Sequence, residues 1–166
     1  MCLDVLQSKL GMITFTASGQ GLTGLYLPGQ EHFLPYKTYK RNTKNVHIEQ
    51  AKDEISDYLD GKRKDFSVGL DLRGTEFQKK VWHQVREVPY AHTSSYKDIA
   101  QQLGMKGGYQ AIGSANRNNP ISIMIPCHRI IGATGKLIGY GGGVDLKAQL
   151  LHIETHYEKN DQQHEG

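Results

Sequence analysis

Apolar residues change their rhythm along the chain. Over residues 12–28, "MITFTASGQGLTGLYLP" partly alternates apolar and polar positions and is punctuated by glycines, the pattern of short strands joined by tight turns. The next stretch, "PYKTYKRNTKN", is polar and basic and reads as a loop. The period then becomes helical: Ile48, Ala51, Ile55, Tyr58 and Leu59 share one stripe, and Gly61 stands where a helix C-terminus would. "GKRKDFSVGLDLRG" has no helical period and predicts a strand plus a connection, with a boundary near Gly74.

Beyond Gly74 helices are expected. "TEFQ" is a capping box in which Thr75 accepts from the third helical N–H and Gln78 reaches back. Phe77, Val81, Trp82 and Val85 form the apolar face, and Pro89 closes the segment. "SSYKDIAQQLG" predicts a helix starting at Ser94 or Ser95, with Tyr96, Ile99, Ala100 and Leu103 as its stripe and Gly104 as its stop. After the turn "MKGG", "YQAIGSANR" gives a short helix that "NNP" ends. Two helices joined by a glycine-bearing turn suggest a helix-turn-helix. The second carries Ala111, Gly113, Ser114 and Ala115, where a core helix would want Leu or Ile. Small residues allow close approach either to a DNA groove or to another helix, and composition leaves both open. A last helix, "DLKAQLLHIETHYEK", has Leu146, Leu150, Ile153 and Tyr157 on its stripe and Glu154 at the edge of it.

Charge sharpens this picture. The chain of 166 residues has a net charge of +3, but Gln78 to Lys136 holds eight Lys/Arg against Glu87 and Asp98, a local +6. Such a segment fits a phosphate backbone, although a solvated face has the same composition. From Asp145 onward the balance is −3. No apolar run approaches the ~20 residues of a membrane span. The opening "MCLDVLQSKLG" lacks the apolar block of a secretory signal. Two cysteines, Cys2 and Cys127, make neither a disulfide framework nor a zinc site, so a reducing, cytoplasmic setting is expected.

The chemistry concentrates in "IMIPCHRII". "ISIMI" (121–125) has the pattern of a buried strand, and Pro126 must break it at Cys127. Neighbours on a strand face opposite ways, so Cys127 and His128 cooperate only if the chain turns there. A thiol beside an imidazole and Arg129 would lose its proton more readily than a free cysteine. A buried, inert cysteine is the competing reading. Glu154 is then either a rim charge or the third member of a Cys–His–Glu relay. His152 and His156, four residues apart, lack a third metal ligand and read as solvated. "GATGK" lacks the spacing of a phosphate loop.

Taken together, "NPISIMIPCHRIIGATGKLIGYGGG…LLHIE" resembles the O6-alkylguanine-DNA alkyltransferase family: an Asn-Pro, an apolar run, a Pro-Cys-His-Arg box, a Tyr within glycines and a late Glu fall in order. The resemblance covers Thr75 to Glu154 well and the first third more loosely. It implies an α+β fold, with a small sheet-and-helix, ribonuclease-H-like domain (1–74) followed by a helical domain (75–166) bearing the helix-turn-helix. It also implies a monomer that flips O6-alkylguanine, or as a second lesion O4-alkylthymine, from double-stranded DNA. The alkyl group passes irreversibly to its own cysteine, with no cofactor and no metal.

By that likeness Cys127 is the nucleophile, His128 takes its proton through a water, and Glu154 orients the imidazole. Asn119 braces the turn before the reactive loop, and Tyr96 hydrogen-bonds the guanine and helps it regain a proton. Tyr140 walls the pocket, and the backbone of Ile130 and Gly141 reads the base. Gln110, Ala111, Gly113, Ser114 and Arg117 lie on the DNA-facing helix. Gln110 departs from the family, which usually has an arginine there to fill the gap a flipped base leaves. Two other classes stay open: a non-enzymatic damage sensor, which the intact cysteine argues against, and a Cys-His hydrolase, for which no substrate pocket is marked.

Overall fold

In a computed structural model the described residues are 1–35, 39–41, 44–132 and 144–164. Tyr140 and Gly141, and the expectations attached to them, lie outside this set. The chain opens with three antiparallel strands in sequence order, β1 (Cys2–Ser8), β2 (Gly11–Ala17) and β3 (Leu22–Tyr26). Their register pairs Val5 with Thr14 and Phe15 with Leu25, with a bulge between Thr16 and Ala17. Alternation on β2 buries Ile13, Phe15 and Ala17. Helix α1 (Val46–Leu59) packs on the strands through Ile48, Ala51, Ile55, Tyr58 and Leu59, the stripe expected of it. Asn45 caps it by accepting from the N–H groups of His47 and Ile48 at 2.9 and 3.2 Å. Gly61, at φ +76°, follows its C-cap, and a side chain there would strike the ring of Tyr157.

The rest is helical: α2 (Glu76–Arg86), α3 (Tyr96–Gln102), α4 (Tyr109–Arg117) and α5 (Val144–His164). The capping box at Thr75 and Gln78 is present in full, and Ser95 caps α3. Helices α2, α3 and α4 pack against one another. The Trp82 indole N–H donates to the Ala115 carbonyl at 2.8 Å, joining α2 to α4. A single buried cluster runs from Ile13, Phe15 and Leu25 through Tyr58 to Trp82, Ile112, Cys127 and Leu150. Two short strands, β4 (Ser94–Ser95) and β5 (Ile130–Ile131), pair in parallel and hold the start of α3 beside the segment after Cys127. Among the described residues no helix is long and apolar enough to cross a membrane.

Two expectations need correction. "ISIMI" is buried but forms no strand: Ile121 bridges to Leu25, Ile123 sits at φ +71°, and the Ile125 N–H closes a turn onto the Ile121 carbonyl at 3.0 Å. A short apolar run carries burial but not secondary structure, and the edge of β3 decides which backbone groups find partners. "GLDLRG" likewise makes only a bridge, Leu70 to Leu22.

Trp82→Phe should cost about 2 kcal/mol, because the Ala115 carbonyl would be left buried without its donor. Urea denaturation should show a lower midpoint with an unchanged slope.

Candidate active site

Pro126, at φ −79° and ψ 63°, turns the chain out of the apolar run, and Cys127–Arg129 form one turn of 3-10 helix. Cys127 and His128 are both buried on this turn. Asn119 spans the preceding loop, its amide donating to the Ile125 carbonyl at 2.8 Å while its oxygen accepts from the Ile121 N–H at 2.9 Å. The same loop is fastened to β3, with the Leu25 N–H on the Pro120 carbonyl at 2.9 Å and the Ser122 hydroxyl on Gln30 Oε1 at 2.8 Å.

Glu154 is fully buried and not a rim charge; α5 turns it inward beneath the reactive turn. Its Oε2 accepts from His128 Nε2 at 2.6 Å, Tyr58 Oη at 2.6 Å and Arg129 Nη2 at 3.0 Å. Its Oε1 accepts from Arg129 Nε at 2.9 Å and the Ala91 N–H at 3.1 Å. Burial alone would raise this carboxyl, but the hydrogen bonds and charges of His128 and Arg129 outweigh it and bring the pKa to about 2. Arg129 supplies the standing positive charge, because burial pushes His128 below its usual range and keeps it neutral at pH 7. With Nε2–H committed to the carboxylate, Nδ1 of a neutral ring is an acceptor, and it has no partner among the described residues.

Arg129 does not activate the thiol, contrary to expectation. Its guanidinium is directed to Glu154 and, through Nη1, to the Val88 carbonyl at 2.8 Å. Burial pushes the Cys127 thiol up, opposed by the Asn119 amide, the charge of Lys147 and the Ser122 hydroxyl. The resting group is therefore a thiol. Lys147, fully buried, donates its ammonium to the Ile130 carbonyl.

Tyr96, the first residue of α3, is half-buried, and burial raises its pKa, so its hydroxyl stays protonated. Gly113 lies against its ring, where an added Cβ would stand 3.9 Å away. Asn116, also buried, donates to the Cys127 carbonyl at 3.4 Å. On α4, Ile112, Ala115 and Asn116 face inward, Gln110, Ala111 and Arg117 are exposed, and Gly113 and Ser114 are half-buried. His152 and His156 are exposed and stack on each other, and no group of metal ligands forms among the described residues. The sequence reading missed Tyr58, Asn116 and Lys147. Tyr58 lies on the expected stripe of α1, which marks burial without showing what its hydroxyl touches, whereas Asn116 and Lys147 lie on no stripe the sequence marked.

Comparison with known proteins identifies the family. Residues 76–156 match the family model described as 6-O-methylguanine DNA methyltransferase, DNA binding domain, and residues 1–72 match its ribonuclease-like domain. A methylated-DNA–protein-cysteine methyltransferase of Mycobacterium tuberculosis is 41% identical over 155 residues, covering 90% of this chain and 89% of the relative. The constitutive methylated-DNA–protein-cysteine methyltransferase of Bacillus subtilis is 37% identical over 152 residues, covering 89% and 92%. The crystal structure of Mycobacterium tuberculosis OGT in complex with DNA superposes with a TM-score of 0.87 at 39% identity, covering 95% of this chain and 94% of that one. The chain belongs to the 6-O-methylguanine DNA methyltransferase family.

Proposed function

We propose that this protein repairs alkylated DNA by flipping O6-alkylguanine out of the duplex and moving the alkyl group to its own Cys127, once per molecule. The observation that carries the reading is the fixed line from Glu154 Oε2 to His128 Nε2 at 2.6 Å, on a turn that starts at Cys127. Neutral His128 takes the thiol proton at Nδ1 through a water, and the resulting imidazolium is stabilised by Glu154. The Lys147 ammonium favours the thiolate as it forms. The sulfur attacks the alkyl carbon, the carbon–O6 bond breaks, and guanine leaves as it gains a proton from Tyr96. A thioether has no hydrolysable carbonyl, so the site is spent. No cofactor enters these steps.

Asn119 braces the reactive loop; by the family likeness alone, Tyr140 walls the pocket and the backbone of Ile130 and Gly141 reads the base. Gln110, Ala111, Gly113, Ser114 and Arg117 form the DNA-facing surface of α4 in a helix-turn-helix with α3. Flipping costs a few kcal/mol, less at a weakened pair, so damage itself aids selection. O4-alkylthymine is a second candidate lesion. A monomer acting in the cytoplasm suffices, with a division near Gly74 supported by the Thr75 cap and by family models that match either side of it. A sensor would not require this base, and a hydrolase would turn over.

Incubation with O6-methylguanine duplex should place one methyl on the peptide carrying Cys127 and none on Cys2, by mass spectrometry. Repeated turnover would overturn the reading.

Because His128 is lowered, the neutral base persists below its usual pKa of 6.5. The single-turnover rate should therefore hold its plateau below pH 6.5 and fall only as the pH drops through the lowered value. Glu154→Ala should both slow transfer and cost roughly 3–5 kcal/mol of stability, since it leaves the Arg129 charge buried without its partner.

Gln110→Arg should strengthen duplex binding and speed repair in duplex DNA, steepening salt dependence by about one phosphate contact. Reaction with free O6-benzylguanine should hardly change, because a free base needs no flipping. Equal effects on both substrates, in paired rate measurements, would place residue 110 in the pocket.

A further inference from the structure

We propose that Tyr58, contributed by α1 from the N-terminal part of the chain, is a positioning residue that tunes His128 as a base through Glu154; this rests on the transfer reading above. Tyr58 is fully buried, with its ring 5.5 Å from that of Phe66 and 6.2 Å from that of Tyr90. Its hydroxyl donates to Glu154 Oε2 at 2.6 Å, the oxygen that also accepts from His128. Burial, then the neighbouring carboxylate, raises its own pKa well above the usual value, so it remains a donor throughout the working range.

The physical reasoning concerns one oxygen with three donors. Each hydrogen bond accepted by a carboxylate oxygen withdraws charge from it and weakens the next. Tyr58 and Arg129 thus compete with the imidazole for Oε2, and Glu154 stabilises an imidazolium less than an unshared carboxylate would. That keeps His128 neutral and ready to accept the thiol proton. Other groups act on the same site. Arg129 holds both carboxylate oxygens, Lys147 on α5 adds positive charge near His128 and Cys127, and Tyr90 lies against Tyr58. Lys64, over the Tyr90 ring, is paired with Glu158 and Asp161. None of these other groups changes when the Tyr58 hydroxyl alone is removed.

The test uses the full chain with Tyr58→Phe, which keeps the ring. NMR titration of the His128 imidazole should show its midpoint rising by about half a unit, a fraction of a charge-assisted hydrogen bond's effect. The acid limb of the single-turnover rate on O6-methylguanine duplex should move up with it, so that on this limb the variant is about threefold slower. Affinity for undamaged duplex should be unchanged. Incorporating 3-fluorotyrosine at residue 58, a stronger donor of nearly the same shape, should shift the midpoint and the limb the other way, and it decides the matter if Tyr58→Phe does not fold. An unmoved His128 midpoint in a folded variant, or a rate loss equal at every pH, would overturn the proposal. Absence of transfer in the unsubstituted protein would tell against the transfer reading instead, while the His128 titration would still decide the role of Tyr58.

Discussion

A carboxylate with no access to water must be satisfied by protein groups, and Glu154 is satisfied five times over. Its donors come from α1, from the segment after α2 and from the turn that carries Cys127 and His128. Taking such a charge out of water is costly, and only a complete set of partners offsets it. The same requirement that makes the pair of Glu154 and Arg129 expensive also makes it specific. Any arrangement that loosens one donor leaves a buried charge short of a partner, so the pieces around the reactive turn are held in one geometry.

That geometry sets the chemistry. Burial works against charge on both Cys127 and His128, leaving a protonated thiol beside a neutral base. Neither group carries a charge at rest. The backbone bears part of the cost. Ile123 and Ala91, at φ +71° and +63°, occupy a region that side chains disfavour, by about 1–3 kcal/mol each. One lies in the loop leading to Cys127, and the other donates its N–H to Glu154. Both are conformations the surrounding contacts impose.

The N-terminal part takes a direct share in this site. The edge of β3 and Gln30 hold the loop before Cys127, and Tyr58 reaches Glu154. On the opposite side, α4 buries Ile112, Ala115 and Asn116 and leaves Gln110, Ala111 and Arg117 exposed. One of the two uses that composition had left open, close packing within the fold, is visible at Gly113. Gly113 lies close to the Tyr96 ring, while Ala111 is exposed.

What the sequence by itself determined is local. The stripe of α1, the capping box at Thr75, the Ser95 cap and the glycine stops at Gly61 and Gly104 each depend on residues within a turn or two of one another. Spacing and backbone preference suffice there. The ordered motif around Cys127 likewise marked the family. Tertiary structure alone decided the rest. It made "ISIMI" a turn against β3, moved Glu154 from a presumed edge to the interior, and directed Arg129 to that carboxylate and away from the thiol. It also brought Tyr58 to Glu154 across 96 residues and His128 to Glu154 across 26. The reason is physical: periodicity tells which side of a helix is buried, but the partner of a buried polar atom is set by whichever distant segment packs against it.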